Sequence, residues 1–216
     1  AKSLKPSLQI YGVEVEGYAS MSQALYGRAE TKKGGATLAE GIAVKNPGKL
    51  PQTILKNLLA DILVVTEEEI ERAVDLFMRK QNIIVEGAGA AGLAGLIQKP
   101  SRVAQKKVGI VVSGGNIDAR LVSSIMIRGQ IHEGRFTFLR IKVHDVPGVL
   151  EQVAGIIGRH QGNIIEVKHQ RLFYEIPIKM AELDIMIETR GIEHINLIIK
   201  DLETAGFSVS QLKEPL

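Results

Sequence analysis

Two patterns of hydrophobic and polar positions divide the chain. Up to about residue 132, short apolar runs alternate with stretches of helical periodicity, an order that favours a largely parallel α/β sheet covered by helices. The pattern predicts strands at 8–15, 60–65 and 107–112, and helices at 21–29, around 54–59, at 66–81 and at 86–96. The helix at 66–81 has the clearest start, because Thr66 and Glu69 form a capping box.

A different order follows a glycine-containing break at 129–134. It predicts strand 137–143, helix 148–160, strand 163–169, strand 181–188, helix 193–205 and strand 208–212. Elements in the order βαββαβ over about 80 residues fold as a ferredoxin-like α+β sandwich, with two helices on an antiparallel sheet. We therefore expect two domains, residues 1–133 and 134–216, with the boundary near residue 134.

Composition and charge exclude several classes of protein. With 24% charged and 45% hydrophobic residues, the 216-residue chain has the make-up of a soluble globular protein. The absence of cysteine excludes disulfides, cysteine-ligated zinc and a thiol nucleophile. Neither a signal peptide nor a long apolar span occurs, so we expect a cytoplasmic protein without membrane contact. The net charge of +3 is scattered and only 4% of residues are aromatic, which argues against nucleic-acid binding.

The first candidate site follows the apolar run 107–112, where Ser113, Gly114, Gly115 and Asn116 stand in succession. Open α/β sheets bind ligands beyond the carboxyl ends of their strands, and glycines let backbone N–H groups approach a ligand closely. A tight strand-to-helix turn, followed by a helix capped by Asp118, is the alternative. Likewise, the small-residue run 86–96, EGAGAAGLAGL, can press its backbone on a cofactor or only on a neighbouring sheet.

Taken together, the segments 35–41 (GATLAEG), 86–91 (EGAGAA) and 113–116 (SGGN) resemble the C-terminal part of the threonine dehydratases. These lyases belong to a pyridoxal-phosphate family that also contains serine dehydratases and serine racemases. The resemblance implies an α/β fold, part of a fold-type II catalytic domain of a pyridoxal-phosphate enzyme. It also implies that a regulatory ACT domain of α+β, ferredoxin-like fold follows. The resemblance therefore covers essentially the whole chain.

The resemblance assigns roles to individual residues. Ser113 would place its hydroxyl on the pyridine nitrogen of pyridoxal 5'-phosphate, and Gly114 would leave room for the ring. A neutral hydroxyl does not hold that nitrogen protonated, so it limits electron flow into the ring and favours expulsion of the β-hydroxyl of the substrate. Glu86 would lie near the cofactor as an orienting carboxylate or as part of a proton network. Capping of the helix that Glu86 precedes is the alternative.

A cation is implied at Glu14, which matches a position that binds a divalent ion in related racemases and dehydratases. Oxygen ligands of this kind suit Mg²⁺ or Ca²⁺, and a monovalent ion is the other choice. Ser20 stands where those relatives carry an aspartate, so one ligand is missing here. A simple solvated glutamate is the alternative.

Two parts of the family's catalytic machinery do not occur in the sequence. These are the lysine that attaches the cofactor covalently, in a motif like S-F-K-x-R-G, and the glycine run that holds the phosphate. The resemblance places both upstream of residues 2–10, so we expect a C-terminal fragment without a catalytic residue of its own, inactive alone. Lys32 and Lys33 lie in a polar, glycine-flanked loop and are expected to be solvated rather than to replace that lysine.

The second domain resembles an ACT domain through the turn between its first strand and first helix. The turn consists of Asp145, Val146, Pro147, Gly148, Val149 and Leu150. Asp145 can cap the helix, Pro147 fits its first turn, and the N–H groups there suit the carboxylate of a free amino acid such as isoleucine or valine. Asn163 would supplement them. A plain helix start is the alternative, and edge-to-edge pairing of ACT domains implies a homodimer or homotetramer.

The leading hypothesis for the intact protein is therefore a threonine dehydratase, or threonine ammonia-lyase. It would convert L-threonine to 2-oxobutanoate and ammonia, and L-serine to pyruvate, under amino-acid control, whether in isoleucine biosynthesis or in degradation. The alternative from another class is a noncatalytic amino-acid-binding regulatory module. An α/β nucleotide-binding enzyme is disfavoured, because the sequence contains neither a G-x-G-x-x-G run nor a P-loop.

Overall fold

The structure is a computed structural model that describes residues 1–28, 34–171 and 178–212. The chain divides into two compact units, Ala1–Met126 and Ile127–Leu216. The division falls inside helix α5 (Ala119–His132), so the boundary predicted near residue 134 stays a prediction. Lys32 and Lys33 lie outside the described residues.

The first unit contains a parallel pair of strands with helices around it. The strands pair from Tyr11 with Asp61 to Val15 with Val65. The elements of this unit are β1 (Tyr11–Val15), α1 (Ser20–Tyr26), α2 (Lys49–Leu55), β2 (Asp61–Val65), α3 (Glu67–Leu76) and α4 (Gly87–Gln98). These bounds confirm the predicted order, except that α2 lies earlier than predicted. Pro51 is accommodated there because it falls in the first helical turn.

The capping box that was predicted for α3 is present. The Glu69 N–H donates to Thr66 Oγ1 at 3.2 Å, and the Thr66 N–H donates to Glu69 Oε2 at 2.8 Å. The helix continues through a π-helical turn, Phe77–Gln81, and ends where Asn82 takes a left-handed conformation with φ of 56°. The prediction of a helix to residue 81 is thus confirmed.

Close backbone packing explains the small residues of α4. A Cβ placed on Gly95 would lie 3.0 Å from Val13 Cγ2 and 3.2 Å from Leu63 Cδ1, so only glycine lets the helix approach both strands this closely. One placed on Gly92 would lie 2.6 Å from Ile110 Cγ2. The run therefore packs on the sheet, as the structural alternative predicted, and it also reaches the segment before Ser113.

The prediction of a strand at 107–112 was wrong. No strand pairing is recorded there in the described chain, and Val111 is 84% exposed. The apolar, β-branched pattern favours an extended backbone, but a strand also needs a neighbouring strand for its hydrogen bonds. Among the described residues of the first unit, β1 and β2 form a two-stranded sheet, and the segment 107–112 pairs with neither of them. Ser113 therefore follows a segment outside the sheet rather than a sheet strand.

The second unit has the predicted βαββαβ order. Its elements are β3 (Phe136–His144), α6 (Val149–Arg159), β4 (Asn163–Gln170), β5 (Met180–Glu188), α7 (Ile192–Thr204) and β6 (Ser208–Leu212). The antiparallel sheet has the order β4-β5-β3-β6. Buried Leu139, Ile141, Leu183 and Ile185 share one core with α6 and α7, as a sandwich with helices on one sheet face requires.

Within the described parts of the chain, no helix is both long and apolar enough to cross a membrane.

Candidate functional site

Three segments that are distant in the sequence meet in the first unit: the loop 38–41, whose last two residues begin a short 3-10 helix (Glu40–Ile42), the start of α4, and Ser113–Gly114. A Cβ on Gly41 would lie 3.0 Å from Ala88 Cβ and 3.4 Å from Glu86 Oε1. The Glu86 N–H donates to the Gly114 carbonyl at 3.3 Å. The structure thus joins the three motifs that the sequence had marked separately, with the Glu86 carboxylate between two glycines.

Gly114 is a position that only glycine fits. Its φ is +77°, and a Cβ there would overlap the Glu86 carboxylate. The positive φ alone disfavours a side chain at this position, whereas the Glu86 carboxylate ends a flexible side chain and could move.

Ser113 is exposed, so its side chain is not sealed in apolar packing. Its carbonyl group packs against the Cα atom of Gly89, where no Cβ would fit. That contact fixes the backbone of residue 113 against α4 and leaves the hydroxyl accessible. A hydroxyl both donates and accepts hydrogen bonds, which suits a heteroaromatic nitrogen.

Glu86 does not act as the helix cap that was its alternative role. It occupies the N-cap position of α4, yet its side chain makes no capping hydrogen bond. The carboxylate is partly buried, and no hydrogen bond or ion pair is recorded for it among the described residues. A partly buried carboxylate without a partner is suited to orient a ligand.

Glu14 anchors a helix and is not a simple solvated side chain. Its Oε1 accepts the Met21 N–H and its Oε2 accepts the Ser22 N–H, both at 2.8 Å, so it binds the start of α1. Ser20 donates its hydroxyl to the Val44 carbonyl at 2.5 Å. The described residues contain no group of three His, Asp or Glu side chains that could hold a metal ion. The cation stays a prediction.

Sequence reasoning missed Glu67, the first residue of α3. Its Oε2 accepts the N–H of Leu38 at 2.9 Å, so it contacts the loop that borders Glu86. The contact joins positions 29 apart through a backbone N–H, and such a group has no sequence signature. Only the acidic first turn was visible, and helix-dipole effects explain that equally well.

The turn before α6 differs from its prediction at two residues. Asp145 does not cap the helix, because its carboxylate pairs with Arg171 at 3.2 Å and the helix begins only at Val149. Pro147 precedes the helix instead of lying in its first turn. Gly148 is the N-cap residue, with φ of 87° and no atom within 4 Å of the place where its Cβ would be.

This turn nevertheless keeps the features that a carboxylate ligand needs. Residues 145–148 and Leu150 are exposed, whereas Val149 is buried. The Val149 N–H donates to the Val146 carbonyl at 3.4 Å, but no side chain caps α6, so the next N–H groups of its first turn, those of Leu150 and Glu151, suit a ligand. Asn163 begins β4 as predicted, and its amide donates to Glu188 Oε2 at 3.1 Å. The effector role of these residues stays a prediction.

The chain is thus of a two-unit class, an α/β unit with parallel strands and converging glycine turns and a ferredoxin-like α+β unit. Comparison with protein families agrees with this class. Residues 1–114 match the model of the pyridoxal-phosphate dependent enzymes, and residues 137–207 match the ACT domain. The chain therefore belongs to the pyridoxal-phosphate dependent enzymes and carries an ACT domain.

Comparison with individual proteins gives more specific similarities than the family models. The chain is 38% identical over 209 residues, 96% of its length, to the L-threonine ammonia-lyase of Thermotoga maritima, and covers 52% of that protein. It is 36% identical over the same share to the L-threonine ammonia-lyase of Geobacter sulfurreducens, again covering 52% of the relative. The chain thus spans about half the length of these curated relatives.

A solved structure is also similar. The processed form of threonine deaminase isoform 2 from Solanum lycopersicum aligns with a TM-score of 0.51 and 26% identity. The alignment covers 60% of this chain and 37% of that one. The predicted family and fold class are confirmed.

Proposed function

We propose that the intact protein is a pyridoxal-phosphate-dependent L-threonine ammonia-lyase that forms 2-oxobutanoate and ammonia, with L-serine as a second substrate. Two L-threonine ammonia-lyases match 96% of the chain, which supports this substrate. The observation that carries the proposal is the convergence of Glu86, Gly114 and Ser113 in one place.

The residues present fit the cofactor. Pyridoxal phosphate, when bound, supplies the electron sink for removal of the α-proton. The accessible Ser113 hydroxyl would hold the ring nitrogen without keeping it protonated. Glu86 would orient the ring, since its carboxylate lies against Gly114 and has no partner in the described segments. Gly114 has no side chain that would occupy the space between Glu86 and the ring.

The second unit would make the activity respond to a free amino acid. The uncapped start of α6 suits an α-carboxylate, and isoleucine or valine are the effectors to test. Strands β4 and β6 are the two edges of the sheet, so we further propose edge-to-edge pairing into a homodimer or homotetramer. A cytoplasmic enzyme of isoleucine biosynthesis is one role that fits these properties.

The test is a lyase assay of the chain extended at its amino end. The extension is its own upstream sequence where the gene encodes one, or otherwise the corresponding half of the Thermotoga relative. We expect release of 2-oxo acid from L-threonine, with lower rates from L-serine. Ser113→Ala should reduce the rate about ten-fold, the effect of one hydrogen bond.

Ser124→Ala is the matched control, because that exposed hydroxyl donates only to the Arg120 carbonyl in its own helix. No 2-oxo acid from either substrate would reject the proposal. Amino-acid binding without lyase activity would favour the noncatalytic regulatory module.

A further inference from the structure

Glu67 has an environment that helix formation does not explain. The capping box of Thr66 and Glu69 already satisfies the start of α3. Glu67 Oε2 accepts the Leu38 N–H at 2.9 Å, whereas its Oε1 is buried without a hydrogen-bond partner in the described part of the chain. A buried carboxylate oxygen without a partner is costly. Because the unpaired oxygen only costs stability, we attribute the role of this side chain to its hydrogen bond with the Leu38 N–H.

Leu38 borders the candidate cofactor site through its backbone. A Cβ on Gly87 would overlap the Leu38 carbonyl and lie 3.0 Å from the Ala39 nitrogen, so this backbone rests on the Cα atom next to Glu86. Gly41, in the same loop, lies against Glu86 Oε1. The loop thus borders the Glu86 carboxylate and the start of α4.

We propose that Glu67 is a positioning residue that, through the Leu38 N–H, holds the loop 38–41 against Gly87 and so fixes the Glu86 carboxylate at the cofactor site. The claim that Glu86 is fixed for catalysis rests on the proposed function. The claim that Glu67 holds the loop does not depend on it and can be tested on this chain alone. Glu67 touches neither substrate nor cofactor in this scheme and acts only through the loop.

Two conservative substitutions distinguish the effect of side-chain length at position 67 from the effect of its charge. Glu67→Gln keeps the side-chain length and an acceptor for the Leu38 N–H, but removes the charge. Glu67→Asp keeps the charge in the first turn, but is one methylene too short to reach. A helix-dipole role would make the glutamine variant the weaker one, whereas a positioning role makes the aspartate variant the weaker one. The same changes at the adjacent, exposed Glu68 are the matched controls.

Amide hydrogen exchange of the 216-residue chain, measured by NMR, tests the loop directly. Glu67→Asp should raise exchange at Leu38 at least about five-fold, and Glu67→Gln less than about two-fold. The Ile70 N–H, bonded to the Thr66 carbonyl within α3, is the internal reference and should not change. Equal acceleration at Leu38 and Ile70, or an unchanged Leu38 in the aspartate variant, would overturn the proposal.

The extended protein supplies the catalytic readout. Glu67→Asp should lower kcat about ten-fold with a smaller change in KM for threonine, because substrate contacts stay in place. Glu67→Gln should restore most of kcat, and neither Glu68 variant should change it. A wild-type extended protein without lyase activity would reject the proposed function, while the exchange result would still decide the role of Glu67 in the loop.

Discussion

At the scale of single residues, Asp61 is paired with two arginines of the first unit, Arg28 and Arg102. Burial raises its pKa, but hydrogen bonds from Arg102 and Arg28, both at 2.7 Å, and from the Ile62 N–H outweigh burial and lower the pKa to about 2. Because the folded-state pKa lies below the ordinary value of 3.8, the carboxylate stabilises the fold above that pH and the contribution is lost as the pH falls towards about 2.

We therefore expect Asp61→Asn to lower the free energy of unfolding by about 1 to 2 kcal/mol at neutral pH, since the partly exposed arginines reduce the full linkage value. The difference from the wild type should shrink below about 0.5 kcal/mol near pH 2. Urea denaturation followed by circular dichroism across this range measures it, with Glu68→Gln as an exposed control. A difference that stays constant with pH would contradict the assignment.

At the scale of elements, a buried histidine joins the two helices of the second unit. His194, 6% exposed in the first turn of α7, accepts the Arg190 N–H through Nδ1 at 3.0 Å. Its Nε2 lies 2.7 Å from the His160 carbonyl oxygen at the end of α6. Because Nδ1 is an acceptor, Nε2 carries the hydrogen and donates it. One side chain thus satisfies groups at both helix ends.

His194→Ala should destabilise the chain by about 2 to 4 kcal/mol, because it leaves the partly buried His160 carbonyl and the Arg190 N–H without this partner and opens a cavity where the buried ring lies. His160→Ala is the control in the same unit, since its ring pairs with the half-exposed Asp201 and should cost less than about 1 kcal/mol. Equal losses for the two variants in chemical denaturation would refute this account.

The bounds of the elements show how much of the fold could be predicted from the sequence. The elements of the second unit lie within about two residues of their predicted bounds, because each strand finds its partners within that unit. The segment 107–112 has an equally clear pattern but no partner strand, and periodicity carries no information about partners. Glu67 and His194 were missed for a related reason: each bonds a backbone group, and every residue type carries those groups.

At the scale of the whole molecule, the turn before α6 is the proposed effector site, and two glycines of the second unit allow a controlled test of that proposal. Gly148 and Gly206 both have positive φ, +87° and +92°, and both have open space where a Cβ would lie. Gly148 precedes the uncapped N–H groups of α6, whereas Gly206 follows the end of α7. A methyl group at either position costs the same backbone strain, about 1 to 2 kcal/mol.

Alanine at these two positions should therefore lower stability alike and affect ligand binding differently. We expect calorimetry to detect binding of isoleucine or valine by the wild-type chain and by Gly206→Ala. Gly148→Ala should weaken that binding at least about ten-fold, because its methyl group occupies the approach to the N–H groups, a loss of about 1.4 kcal/mol. Equal affinity in both variants would place the effector elsewhere, since the backbone strain is matched and only the position of the methyl group differs.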